Sequence, residues 1–84
     1  MKIEFSKKFI KDIEKINDQN LIKKVIEIIE KLKKNEKIEM KKIKGFKNFY
    51  RIRIGNYRLG IEKNDNVIII KRFLHRKQIY QFFP

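Results

Sequence analysis

Changes in the spacing of apolar residues divide this chain into two halves. Phe9, Ile10, Ile13 and Ile16 recur at helical intervals with Lys and Asp between them, behind a short extended stretch Lys2–Phe5 and Ser6, whose hydroxyl suits an N-cap. The pattern lapses across Asn17–Asn20. It resumes as a wide stripe of Leu21, Ile22, Val25, Ile26, Ile28, Ile29 and Leu32, backed by Lys23, Lys24, Glu27, Glu30 and Lys31, with Asp18 or Asn17 placed to cap it. Two helices joined by a tight turn are predicted. Residues 33–44 are polar, with Ile38, Met40 and Ile43 as tethers, and read as a connection.

From Phe49 the period falls to two. Phe49-Tyr50-Arg51-Ile52-Arg53-Ile54 alternates, Gly55-Asn56 supplies a two-residue turn, and Tyr57-Arg58-Leu59-Gly60-Ile61-Glu62 alternates again, which is a hairpin. After Asn64-Asp65-Asn66 turns the chain, Val67–Phe73 is apolar enough for a central third strand, and Lys77–Phe83 suits a final helical turn. The predicted fold is a single α+β domain over residues 1–84, two N-terminal helices packed on one face of a twisted, mainly antiparallel sheet. Alternation sends Tyr50, Ile52, Ile54, Tyr57, Leu59 and Ile61 toward the helices. It leaves Arg51, Arg53, Arg58 and Glu62 on the opposite, uncovered face, where Gly60 either marks a bulge or, lacking a side chain, admits a substrate or a partner backbone. Arg72 is expected either to pair with Glu62 or to contact a polyanion.

The chain carries a net charge of +13 on 84 residues, which favours polyanionic partners such as nucleic acid or an acidic protein. The cations are segregated. Residues 1–48 hold fifteen Lys, no Arg and eight acids, whereas residues 49–84 hold five Arg, three Lys and two acids. Ala, Thr, Cys and Trp are absent while Lys, Ile and Asn abound, a background in which Lys supplies any plain positive charge. Arginine kept at Arg51, Arg53, Arg58, Arg72 and Arg76 points to a need for guanidinium geometry. Without Cys, and with one His, neither a disulfide framework nor a protein-held zinc site is expected. The longest apolar run, Val67–Ile70, falls far short of the roughly 20 residues that span a bilayer. No membrane association is therefore expected, and with no secretory signal before Phe5 the reading is cytoplasmic.

The segment Lys44-Gly45-Phe46-Lys47-Asn48-Phe49-Tyr50-Arg51-Ile52-Arg53-Ile54-Gly55-Asn56-Tyr57-Arg58-Leu59, followed by Leu74-His75-Arg76-Lys77-Gln78-Ile79-Tyr80, resembles the RelE/ParE superfamily of toxin–antitoxin toxins, closest to its RelE-like branch. The likeness extends over essentially the whole chain. It implies a small endoribonuclease, using no metal or other cofactor, that cleaves messenger RNA at the ribosome and is silenced by a cognate acidic antitoxin. The 2′-hydroxyl attacks the adjacent phosphate and leaves a 2′,3′-cyclic phosphate. Two alternatives share the fold: a ParE-like gyrase inhibitor without catalysis, and a member that has lost catalysis and only binds its antitoxin.

Carried onto this sequence, the resemblance places RNA-binding cations at Arg51 and Arg53 and a catalytic set at Arg58, Arg76 and Tyr80. His75 joins that set on its chemistry, because an imidazole can take or give a proton near neutrality. Metal-free attack at phosphorus needs fixed cations, and bidentate guanidinium groups supply them, a role expected of Arg58 and Arg76. Tyr80 is a second candidate for proton transfer, in competition with a plain docking role alongside Phe82 and Phe83. Lys44, Lys47 and Lys77 are expected to add RNA contacts, and Lys23, Lys24, Lys33 and Lys34 a diffuse attraction to ribosomal RNA. Some relatives use a glutamate as base, and Glu62 is the one acid on the predicted face.

Overall fold

Ser6 opens the first helix by doing two jobs at once. Its Oγ accepts from the Phe9 N–H at 3.0 Å, the N-cap bond, and donates to the Lys71 carbonyl at 2.7 Å, tying the helix start to the sheet. The structure, a computed structural model, describes residues 1–84. It runs β1 (Lys2–Phe5), α1 (Lys7–Glu14), α2 (Gln19–Lys33), β2 (Lys41–Lys42), β3 (Phe49–Ile54), β4 (Tyr57–Asn64), β5 (Val67–His75) and α3 (Arg76–Phe82). Asp18 caps α2 through Oδ1, which accepts from the Asn20 and Leu21 N–H groups. No helix is long and apolar enough to cross a membrane.

The five strands lie in the order β1-β5-β4-β3-β2, with β1 parallel to β5 and every other pair antiparallel. Gly55, at φ +59°, takes the left-handed turn conformation that closes β3 onto β4 and sets Ile54 opposite Tyr57. On the face toward α1 and α2 the core joins Phe9, Val25 and Leu32 to Ile52, Ile54, Leu59, Ile61, Ile68, Ile70 and Phe73, with Tyr50 and Tyr57 packed at its margin. This is the predicted α+β layering and the predicted inward set.

Four details depart from the sequence reading. Part of the polar connection is the short strand β2, with Lys41 opposite Arg51 and Lys42 opposite Tyr50. Ile38-Glu39-Met40-Lys41 alternates, so Ile38 and Met40 pack on the core while Glu39 and Lys41 stay exposed.

Secondly, the bulge beside Gly60 takes its extra residue from β5. Gly60 faces Arg72 but Ile61 faces Ile70, leaving Lys71 over. That insertion keeps Ile70 and Phe73, three apart, both buried. Thirdly, Arg72 pairs with Asp12 on α1 rather than with Glu62: the β4–β5 register sets Gly60 opposite Arg72 and Ile69 opposite Glu62. Asp12 accepts from Arg72 Nε at 2.8 Å and Nη2 at 3.0 Å, and from the Phe73 N–H at 2.9 Å. Glu62 instead meets Lys71 at 3.7 Å and accepts from Asn64.

Finally, the second sheet face is not bare. α3 folds back over it, burying Ile79 and the following Phe83, and a Cβ at Gly60 would lie 2.7 Å from Phe83 Cδ2. Gly60 is a seat for that ring.

Candidate nucleic-acid interface

Strand parity puts Phe49, Arg51 and Arg53 on the face that α1 and α2 do not cover. The β3–β4 register sets Arg58 directly opposite Arg53 and Gly60 opposite Arg51. Like charges facing each other across strands destabilise a sheet, a cost that a bound anion between Arg53 and Arg58 would offset. Around them opens a cleft of about 780 Å³, lined by Arg51, Arg53, Arg58, Lys41, Glu39 and Tyr80, with Met40 and Gly55.

Four contacts preorganise this cleft. The Arg51 guanidinium carbon lies 4.4 Å from the centroid of the Tyr80 ring, a cation–π contact that joins β3 to α3. Arg58 Nη1 donates to the carbonyls of Gly55 at 3.1 Å and Tyr57 at 2.9 Å, leaving its Nε and Nη2 without protein partners. The Arg76 N–H donates to the Asn56 carbonyl at 2.8 Å, anchoring the start of α3 to the hairpin turn that also holds Arg58. Among the five arginines only Arg72 has a carboxylate partner. Arg51, Arg53, Arg58 and Arg76 are therefore free of carboxylates, while Arg72 is tied into the fold.

The predicted residues separate into groups. Arg51, Arg53, Arg58 and Tyr80 line one cleft. Tyr80 is 64% exposed, so the docking of the C-terminus falls to Ile79 and Phe83 and its phenol is left open to solvent. Arg76 does not line the cleft; it is exposed, four residues before Tyr80 and hence on the same side of α3. His75 lies elsewhere. It is the N-cap of α3, its Nδ1 accepting from the Lys77 N–H at 3.2 Å, and its ring meets Tyr57 edge-on at 5.5 Å. It borders a separate hollow of about 340 Å³ with Asp12, Arg72 and Phe82. Lys44 and Lys47 are exposed on the loop between β2 and β3, and Lys77 is exposed on α3.

Sequence reasoning missed Glu39, the one carboxylate in the cleft, which makes no ion pair or hydrogen bond with the rest of the chain. The period-two run Ile38–Lys41 was the available signal. Continued two residues past Lys41 opposite Arg51, the antiparallel register brings Glu39 abreast of Arg53.

Residues 3–80 match the family model described as the ParE toxin of type II toxin–antitoxin systems, parDE. The chain is 46% identical over 88 aligned positions to the toxin RelE3 of Methanocaldococcus jannaschii, covering all of both, and 36% identical to the putative toxin RelE1 of the same organism over 94% of this chain and 93% of that one. Among solved structures, the RelB–RelE antitoxin–toxin complex from Methanococcus jannaschii superposes with a TM-score of 0.82 at 46% identity, covering 96% of this chain and 99% of that one. The YoeB dimer from Staphylococcus aureus gives 0.75 at 26% identity, over 89% and 95%.

Proposed function

We propose that this chain, which belongs to the RelE/ParE superfamily of type II toxin–antitoxin toxins, is an endoribonuclease that cleaves messenger RNA and is silenced by a cognate acidic antitoxin. The observation that carries the reading is the convergence of Arg51, Arg53 and Arg58 with an unpaired carboxylate and a solvent-open phenol in one cleft. The 46%-identical chain in the RelB–RelE complex supports the antitoxin partner.

In the proposed reaction the 2′-oxygen bonds to phosphorus as the bond from phosphorus to the 5′-oxygen breaks. Glu39 accepts the proton of the 2′-hydroxyl, and the Tyr80 hydroxyl gives a proton to the departing 5′-oxygen. The products are a 2′,3′-cyclic phosphate and a 5′-hydroxyl. Charge builds on the non-bridging oxygens, and Arg58, with two nitrogens unengaged and its third clamped to backbone carbonyls, is placed to receive it without rearrangement. Arg51 and Arg53 hold the flanking phosphates, and Arg76 extends the cationic surface along α3. His75 supplies the cap of α3 in this scheme and no proton.

Exposed Lys23, Lys24, Lys33 and Lys34 on and after α2 add sequence-independent attraction to ribosomal RNA. Expression in cells with primer-extension mapping of messages tests the reading: growth arrest with cleavage phased to codons is expected, and uncut messages in growing cells would sink it.

Two observations favour a second reading. The matching family model is that of ParE toxins, and the single histidine is occupied as a helix cap, which suits a ParE-like gyrase inhibitor that binds without catalysis. Stoichiometric inhibition of gyrase supercoiling, with no RNA cleavage, would select it.

A further inference from the structure

The loop between β2 and β3 presents a phenyl ring that the fold does not bury. Gly45, at φ +86°, turns the chain so that Phe46 projects from the loop tip 48% exposed, between Lys44 and Lys47. The loop is closed rather than loose: the Ile43 N–H donates to the Phe49 carbonyl at 2.9 Å, and the Phe46 N–H to the Ile43 carbonyl at 3.3 Å. Phe46 meets Phe49 edge-on at 5.7 Å, and Phe49 meets Phe83 edge-on at 5.6 Å. An edge-on contact leaves at least one face of the Phe46 ring free. Phe49 precedes Arg51 by two residues on the same face of β3, so this aromatic row continues the guanidinium row of the cleft.

We infer that Phe46 is a base-stacking platform, the subsite for an unpaired nucleobase flanking the phosphate held in the cleft, with Lys44 and Lys47 on the adjoining phosphates. The inference rests on the RNA reading above. Single-stranded RNA is recognised by such a combination, a cationic groove following the backbone and aromatic faces receiving splayed bases. An acidic protein partner would satisfy the lysines but gives no reason for an open ring face fixed between them.

The test uses the whole protein and a five-nucleotide single-stranded RNA carrying a 2′-deoxy sugar at the cleavage position, so that it binds uncut, with 2-aminopurine moved through each position in turn. The wild type is expected to quench 2-aminopurine at a position next to the scissile phosphate. Phe46→Leu, which keeps an apolar side chain at an exposed site, should abolish that quench and weaken binding about fivefold to a hundredfold, the range of base–aromatic stacking. Its salt dependence should match the wild type, since no charge is lost. Phe46→Trp should restore both affinity and quench. Wild-type affinity and quench in Phe46→Leu would overturn the subsite and leave the nuclease reading standing. Failure of the wild type to bind or cut any RNA would overturn that reading and the subsite with it.

Discussion

The ring of Phe83 occupies the space a side chain on Gly60 would need, with Phe83 Cδ2 2.7 Å from the Gly60 Cβ position. That contact fixes the C-terminal segment against β4, and with it the height of Tyr80 above Arg51. Gly60→Ala forces the ring off its seat, an overpacking cost of about 1–3 kcal/mol. It should raise hydrogen exchange across α3 while the strands stay protected, and depress RNA cleavage more than it depresses stability. Phe83→Leu in the same chain should restore part of both. Unchanged exchange in α3 would show that Phe83 does not anchor it.

Asp12 and Arg72 form a partly buried ion pair that locks α1 to β5 beside its bulge. Arg72 is 17% exposed at its side chain, and Asp12 also takes the Phe73 N–H, so removing the carboxylate leaves a cation and a backbone donor without partners. Asp12→Ala should cost about 3–5 kcal/mol, read as a lower denaturation midpoint with an unchanged slope. Replacing both partners, Asp12→Leu with Arg72→Met, should recover much of it, because the pair's removal then strands no charge.

What the sequence made legible follows from the range of the interactions. The helices and the β3–β4 hairpin were readable because their signals, a 3.6 or 2.0 period and Gly55-Asn56, are local. β2 was not: two adjacent lysines form a strand only because Arg51 and Tyr50 offer the other edge. Gly60 announced an absent side chain but not its occupant, which lies 23 positions downstream. Glu39 was hidden for the same reason, since only the pairing of Lys41 with Arg51 brings it to the arginines. For His75 both signals are local: its place beside Arg76, and the N-cap bond that its Nδ1 accepts from the Lys77 N–H two residues on.

His75 gives the clearest separation of structure from chemistry. An asparagine supplies a side-chain acceptor at an N-cap, so His75→Asn should keep α3 docked and cleave RNA at a rate near the wild type. His75→Ala loses the acceptor and should cost about 1 kcal/mol, with more frequent opening of α3. A loss of two or more orders of magnitude in cleavage by His75→Asn, with α3 still protected from exchange, would return a proton-transfer role to the imidazole.

Glu39 and Tyr80 face the opposite test. Both are exposed and neither holds the core, so Glu39→Gln and Tyr80→Phe should leave the denaturation midpoint within about 0.5 kcal/mol of wild type. As base and acid, each should depress single-turnover cleavage by roughly 10²- to 10⁴-fold while binding of the uncleavable RNA changes little, because the removed group acts on a proton in transit. Arg51→Met and Arg53→Met should do the reverse, weakening binding and flattening its salt dependence by about one phosphate contact each. Arg51→Met also removes the cation above the Tyr80 ring, so its effect on cleavage should exceed that of Arg53→Met by more than the difference in affinity. Equal losses in the two variants would mean that Arg51 serves only as a phosphate contact and does not position the phenol.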